Sequence, residues 1–231
     1  MRCSSLYRPS LRDVLSKVKA FIFDFDGTLI DSVDAHIESW IIAIEKVLDI
    51  KFRYDDVYPL IGLSGLDIIK NLLGDLGLKH YSEIRRIKDR AYLRMIKEGV
   101  VEVFPGVTKL LKILKLRGYL IAIASSTPNH ILLHLSQYLG IDAFIDHYVG
   151  GDEVSRGKPN PDIFAKAIKD LGLEPHESVI VGDTSYDIRP AKELGAFSIL
   201  VNRDVSTVNP KPDHYFRMFH EFTDSLIKLL L

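Results

Sequence analysis

Lys19-Ala20-Phe21-Ile22-Phe23-Asp24-Phe25-Asp26-Gly27-Thr28-Leu29-Ile30-Asp31-Ser32 is the stretch on which the fold turns. Lys19–Phe23 is apolar on both faces past its first residue, as a strand in the middle of a parallel sheet must be. The glycine and polar residues of Asp24–Thr28 then break it. Upstream, residues 1–18 form a polar lead-in, with a short helix expected over Arg12–Val18. Downstream the period changes. Ile37, Trp40, Ile41, Ile44, Val47 and Leu48 recur at helical spacing, Leu66–Leu73 forms a second helix after the Gly62–Gly65 turn, and the charged run Glu83–Lys97 a third. No strand pattern interrupts them before about Gly99.

Beyond that point helices and strands alternate. Helix Val107–Arg117 ends at Gly118 and leads to strand Tyr119–Ala124. Helix Asn129–Leu139 leads to strand Ala143–Val149, helix Pro161–Asp170 to strand Ser178–Val181, and helix Ile188–Leu194 to strand Ala196–Val201. A Pro-rich link, Asn209–Pro212, and a helix over Glu221–Leu230 close the chain. Short links between alternating elements predict an α/β fold with a doubly wound parallel sheet. The helical stretch interrupts it as an inserted all-α domain. The expected boundaries are a core of residues 1–31 and 100–231 and an insert of residues 32–99.

Composition narrows the function classes. With 231 residues, 47% hydrophobic and 26% charged, the chain is neither disordered nor fibrous. A formal net charge of -1 offers no general attraction to nucleic acid or to an anionic membrane surface. The longest apolar runs are strand-sized, and Met1–Ser16 lacks the apolar centre of a signal peptide. The single cysteine, Cys3, cannot close an internal disulfide, which fits a reducing compartment. A soluble cytoplasmic protein is the expectation.

Ligands of an open parallel sheet bind at the carboxyl ends of its strands. Asp24 and Asp26 follow the first strand, Ser125, Ser126 and Thr127 the second, and Gly182 and Asp183 the fourth, with Asp187 close behind. Lys158 lies before the fourth strand, in Gly157-Lys158-Pro159-Asn160-Pro161-Asp162. Taken singly, each has a plain alternative. A strand-end Asp can be a turn residue, Ser125–Thr127 can cap a helix, and a lysine beside proline is ordinarily a solvated loop residue that carries little stability. Taken together they suit phosphoryl transfer. Carboxylates bind a hard cation such as Mg2+, an Asp can be the nucleophile and a second carboxylate the acid and base, and hydroxyl and Lys donors hold phosphoryl oxygens.

The same residues resemble a family. Asp24–Ser32 is similar to the DxDGT[LV]xDS signature of the haloacid dehalogenase superfamily, Ser125 to its second motif, Lys158 in Gly-Lys-Pro-x-Pro-Asp to its third, and Gly182–Asp187 to its fourth, GDxxxD. The resemblance implies Asp24 as nucleophile and Asp26 as acid/base. It implies Mg2+ on the Asp24 carboxylate, the Asp26 carbonyl and Asp183, with Asp187 supporting the metal shell. Ser125, Ser126 and Lys158 would bind phosphate, and Thr28 would steady the loop. The insert resembles a C1-type cap, which excludes water and selects small substrates. Asp26, where dehalogenases typically lack an Asp, favours a phosphate ester.

Ile61–Leu66 and Val181–Asp187 are similar to segments of phosphoglycolate phosphatases. Beta-phosphoglucomutase is the rival, because His36 and Trp40 stand where it carries a His and a Trp. Against it, Gly65 replaces an Arg of its cap turn, and Gly182-Asp183 replaces Glu-Asp. His36, Ser64 and Gly65 are the expected substrate contacts of the cap, while Trp40 is expected in its core. The expected activity is Mg2+-dependent hydrolysis of a small phosphorylated metabolite. A phosphomutase and a catalytically silent binding protein are the alternatives.

Overall fold

A computed structural model describes residues 10–231. Cys3 and half of the polar lead-in lie outside the described residues, and within the rest α1 spans Leu11–Leu15. At the centre is β1, Ala20–Phe23, flanked by β2 (Leu120–Ser125) and β4 (Ser178–Gly182). Outside these lie β3 (His147–Gly150) on one side and β5 (Phe197–Leu200) and β6 (His214–Tyr215) on the other. Every pairing among these strands is parallel, in the order β3-β2-β1-β4-β5-β6.

The pleat separates the strand side chains into two apolar layers. Phe21, Phe23, Ile121, Ile123, Val179 and Val181 face α6 (Val107–Leu116), α7 (Asn129–Tyr138) and α10 (Phe219–Leu230). Ile22, Ala122, Ala124 and Ile180 face α8 (Asp162–Asp170) and α9 (Ser185–Leu194). Helices on both faces explain why β1 and β4 show no polar side.

Two sequence expectations are corrected here. The third strand begins at His147, not Ala143, because Asp142–Phe144 forms a turn of 3-10 helix. The strand starts only where the chain reaches β2, with Asp146 N donating to Ile121 O at 2.8 Å and the Asp146 carboxylate accepting from Ile121 N at 2.8 Å. The link after β5 hides β6, which is too short to show alternation. Asp213 docks it by accepting from Ser198 N at 2.9 Å and Ser198 Oγ at 2.8 Å.

Between β1 and β2 run α2 (Val33–Leu48), α3 (Tyr54–Val57), α4 (Gly65–Lys79, kinked at Gly74) and α5 (Tyr81–Lys97). Ile37, Trp40, Ile44, Val57, Ile68, Ile69 and Ile84 give this helical insert its own apolar cluster. The last turns of α5 behave differently: Tyr92, Met95 and Ile96 join the layer under the sheet. The chain leaves and re-enters the core along two adjacent segments. Ile30 and Val103 pair antiparallel, Asp31 N donates to Glu102 O at 2.8 Å, and Phe104 N donates to Leu29 O at 3.0 Å.

Ile180 is fully buried in the middle of the sheet. Ile180→Ala is expected to lower stability by about 2–5 kcal/mol through lost apolar transfer plus the cavity left behind, measured as a shift of the urea midpoint at unchanged slope.

Candidate active site

The register aligns Phe23 with Ile123 on one side and with Val181 on the other, so Asp24, Ser125 and Asp183 leave the sheet on one rim. The Lys158 Nζ reaches this rim from the loop after β3. It donates to Asp24 Oδ1 and to Asp187 Oδ1, each at 2.7 Å, and lies 4.6 Å from the centroid of the Phe164 ring. Its side chain is only 1% exposed, which excludes the alternative of a solvated loop lysine. The proline-flanked loop folds inward because two buried carboxylates require a cation between them.

Burial works against the Lys158 charge, but Asp187 and Asp24 outweigh it and hold the ammonium well above its ordinary range. Burial pushes the Asp24 carboxyl well up; Lys158 opposes this, while Asp187 and Asp183 add to it. Asp183 is raised to about 6 by burial and Asp187, against the pull of Arg203. Asp187 Oδ2 accepts from Thr184 N at 3.0 Å and Thr184 Oγ1 at 2.8 Å, which ties the carboxylate into the first turn of α9.

Asp24, Asp183 and Asp187 bring carboxylate oxygens within 4.8 Å of one another. Gly27 adopts φ +79° beside them, and a Cβ there would lie 2.7 Å from Asp183 Oδ2. Only glycine leaves that approach open. Thr28 Oγ1 is 3.4 Å from Asp183 Oδ1. Hard oxygen donors, mutual repulsion and a space kept free of side chain fit a divalent cation such as Mg2+.

Asp26 turns toward the insert. Its Oδ1 accepts from Ser32 Oγ and Tyr92 OH, each at 2.7 Å, and its Oδ2 from Thr127 Oγ1 at 2.7 Å and Ser125 Oγ at 3.4 Å. His36 Nε2 stands 2.9 Å from Oδ1, a close contact that is misaligned for a hydrogen bond, with its ring stacked on Tyr92 at 4.0 Å. Burial alone would raise this carboxyl; His36, Tyr92 and Ser32 together hold it far below its ordinary range. Burial, reinforced by Lys88, lowers the His36 pKa against the pull of Asp26.

Residues 21–201 match the family of haloacid dehalogenase-like hydrolases. The chain belongs to that family. A "Probable phosphatase IndB" of Dickeya dadantii is 30% identical over 81% of this chain and 83% of its own length. A "Phosphoglycolate phosphatase" of Aquifex aeolicus is 30% identical over 79% of this chain and 84% of its own. The solved structure of a beta-phosphoglucomutase from Clostridium difficile superposes with TM-score 0.78 at 25% identity, covering 92% of this chain and 96% of its own. Among the described residues no helix of this hydrolase is long and apolar enough to cross a membrane.

The insert completes a cleft over the rim, lined by Asp24, Asp26 and Ser125–Thr127 below and by His36, Trp40, Gly62, Gly65, Arg85 and Lys88 above. His36 and Gly65 both line it, and Trp40, 2% exposed, belongs both to the insert's core and to the cleft wall. Ser64 is corrected. Its hydroxyl donates to Asp67 Oδ2 at 2.6 Å and accepts from Asp67 N at 3.2 Å, so it caps α4 and does not line the cleft. Ser126 lines the cleft, but its hydroxyl donates to Gly62 O at 3.0 Å and fastens the insert's turn to the rim.

Sequence reading missed Tyr92, Arg85 and Lys88, which sit on a helix whose charges look solvated in one dimension. It also missed the hold of Thr127 on Asp26. Arg203 was legible by the rim rule, since Asn202-Arg203 follows β5. Its Nη2 donates to Asp183 Oδ2 at 2.7 Å, and its guanidinium lies 5.1 Å over the Tyr58 ring of the insert. Asn202 donates to Gly27 O at 3.0 Å and Thr28 O at 3.2 Å, and so fixes the turn that carries the acidic motif.

Lys158→Met is expected to lower stability by about 3–5 kcal/mol at neutral pH in the presence of chelator, because Asp24 and Asp187 are left buried without their cation. Chemical denaturation measures it; a loss below about 0.5 kcal/mol would mean that the lysine is dispensable to the fold.

Proposed function

We propose that this hydrolase is a phosphatase acting on a small phosphate monoester, phosphoglycolate or a metabolite of similar size, through an aspartyl phosphate on Asp24. On this reading residues 32–99 are the cap over a core of residues 1–31 and 100–231. The observation that carries it is the placement of Lys158 Nζ against Asp24 Oδ1 on the cleft floor, beside two further carboxylates.

Asp24 and Asp183 would hold Mg2+, with Asp187 positioning Lys158 and the α9 turn. Bound there, the cation supplies positive charge against the phosphoryl oxygens and the crowded carboxylates. An Asp24 oxygen attacks phosphorus and the ester P–O bond breaks. Lys158 and Ser125 hold the phosphoryl oxygens as charge shifts during transfer. Asp26, ionised as it stands here, takes up a proton from solvent once a bound substrate loosens its contacts to His36, Ser32 and Tyr92, and gives that proton to the departing oxygen. Held ionised again, it takes the proton of the water that cleaves the aspartyl phosphate. The insert keeps other water out while the phosphoenzyme exists.

Asp24→Asn is expected to fold and to lose at least about a thousandfold in turnover with Mg2+, while chelation of the native protein also abolishes activity. A panel of p-nitrophenyl phosphate, phosphoglycolate, sugar phosphates and pyrophosphate reads both the class and the preferred ester. Near-native turnover by Asp24→Asn would remove the nucleophile assignment.

The phosphomutase reading draws support from His36 and Trp40, both on the cleft wall. Beta-glucose 1-phosphate separates the two, since a phosphatase releases inorganic phosphate and a mutase returns glucose 6-phosphate. The phosphatase reading expects free phosphate as the main product if this ester is turned over at all.

A further inference from the structure

Lys158 donates to Asp24 and Asp187, whereas Asp183 takes its cation from the loop after β5. Asn202 adopts φ +58° there, and its side chain is pinned by Gly27 O, Thr28 O and Phe219 N. Arg203 thus leaves a fixed turn. Its side chain is 20% exposed, while that of Asp183 is 4% exposed.

The guanidinium is divided between two parts of the molecule. Nη2 donates to Asp183 Oδ2 at 2.7 Å and Nε to Asp183 O at 3.3 Å. Nη1 donates to Tyr58 OH, and the guanidinium carbon lies 5.1 Å over the Tyr58 ring. Tyr58 opens the 3-10 turn Tyr58–Leu60 of the insert. Its ring stacks on Tyr54 at 5.6 Å, and Tyr54 OH donates to Asp34 Oδ1 in the first turn of α2 at 2.7 Å. One planar group therefore bridges core and insert outside the cleft lining, and its contacts on the two sides move together.

Asp183 Oδ2 is also the oxygen that faces the space beside Gly27. A divalent cation drawn to Asp183 carries the same sign of charge as Arg203 and draws on the same carboxylate, so the two repel. We propose that Arg203 is a positioning residue that sets cation binding at Asp183 against docking of the Tyr58 edge of the insert. Loading of Asp183 drives the guanidinium toward the solvent it already touches, and Tyr58 loses its partner. By reciprocity, freeing Tyr58 lets the cation bind more tightly. The uncharged hydrogen bonds from Tyr186 OH to Pro59 O and from Ser126 Oγ to Gly62 O stay in place, so the loosening is local. This rests on Asp183 as a cation ligand in the proposed function and not on the ester hydrolysed.

Mn2+, which takes oxygen donors as Mg2+ does, is the probe. Its free concentration is read by electron paramagnetic resonance with no substrate present. Tyr58→Leu should bind Mn2+ at least about threefold tighter than the native protein, the size of one exposed cation–π contact. Tyr58→Phe, which removes only the hydroxyl, should shift affinity the same way by less, and serves if the Leu variant does not fold. In an Arg203→Met background the change at Tyr58 should have no effect on Mn2+ binding. Hydrogen exchange on the native protein needs no variant: saturating Mg2+ should speed exchange at the Ile61 amide, which bonds to Tyr58 O. Unchanged or weaker Mn2+ binding by the Tyr58 variants, tightening that persists without Arg203, or exchange at Ile61 that is unchanged or slower with Mg2+ overturns the coupling. Absence of Mn2+ binding by the native protein removes the ligand assignment and the coupling with it, whereas binding without coupling removes only the role of Arg203. Phosphate release by the native protein reports separately on the phosphatase reading.

Discussion

The Lys158 ammonium is the charge on which the rim depends. Three carboxylates gather at the ends of β1 and β4, nearly dry, and such a cluster cannot persist without compensation. Lys158 supplies it to Asp24 and Asp187 at once, with the face of Phe164 against the ammonium. Arg203 does the same for Asp183 from the far side. The sheet's edge residues, the α9 turn and the Gly27 turn are thereby held at fixed separations, which is what preorganisation of a charged site requires. The price in stability of losing either cation follows from the same burial that makes the site electrostatically strong.

A second network joins the sheet to the insert. Asp26 belongs to the core, but Ser32, His36 and Tyr92 come from the segment that crosses into the insert and from its helices, and Thr127 comes from the rim. The side chain read as acid and base is thus the place where the two parts of the molecule meet. The distance between insert and sheet therefore sets which hydroxyls touch Asp26.

Much of this was legible in one dimension. Strands buried on both faces announce themselves as apolar runs, and the rim rule then points at Asp24, Asp26, Ser125 and Asp183 without knowledge of the helices. Lys158 could be found as a motif residue, but not as a buried one, because its burial comes from carboxylates far away in sequence. Tyr92, Arg85 and Lys88 were illegible for a similar reason. A helix such as α5, dense in Lys, Arg and Asp, reads as solvated, and only packing of Trp40 and Gly65 against it turns part of that charge inward. Ser64 and β6 failed at the local level: a Ser before a helix is read correctly only when its Asp67 partner is weighed as a cap, and a strand as short as His214–Tyr215 has no period to detect.

The paired crossing segments have a mechanical meaning. The two segments are held side by side by Asp31 N to Glu102 O and Phe104 N to Leu29 O, so torsion or shear between them would break both hydrogen bonds. The insert is therefore attached as if by a strap hinge rather than a swivel. Tyr92, whose ring packs with the layer under the sheet, stays with the core side of that strap while its hydroxyl meets Asp26.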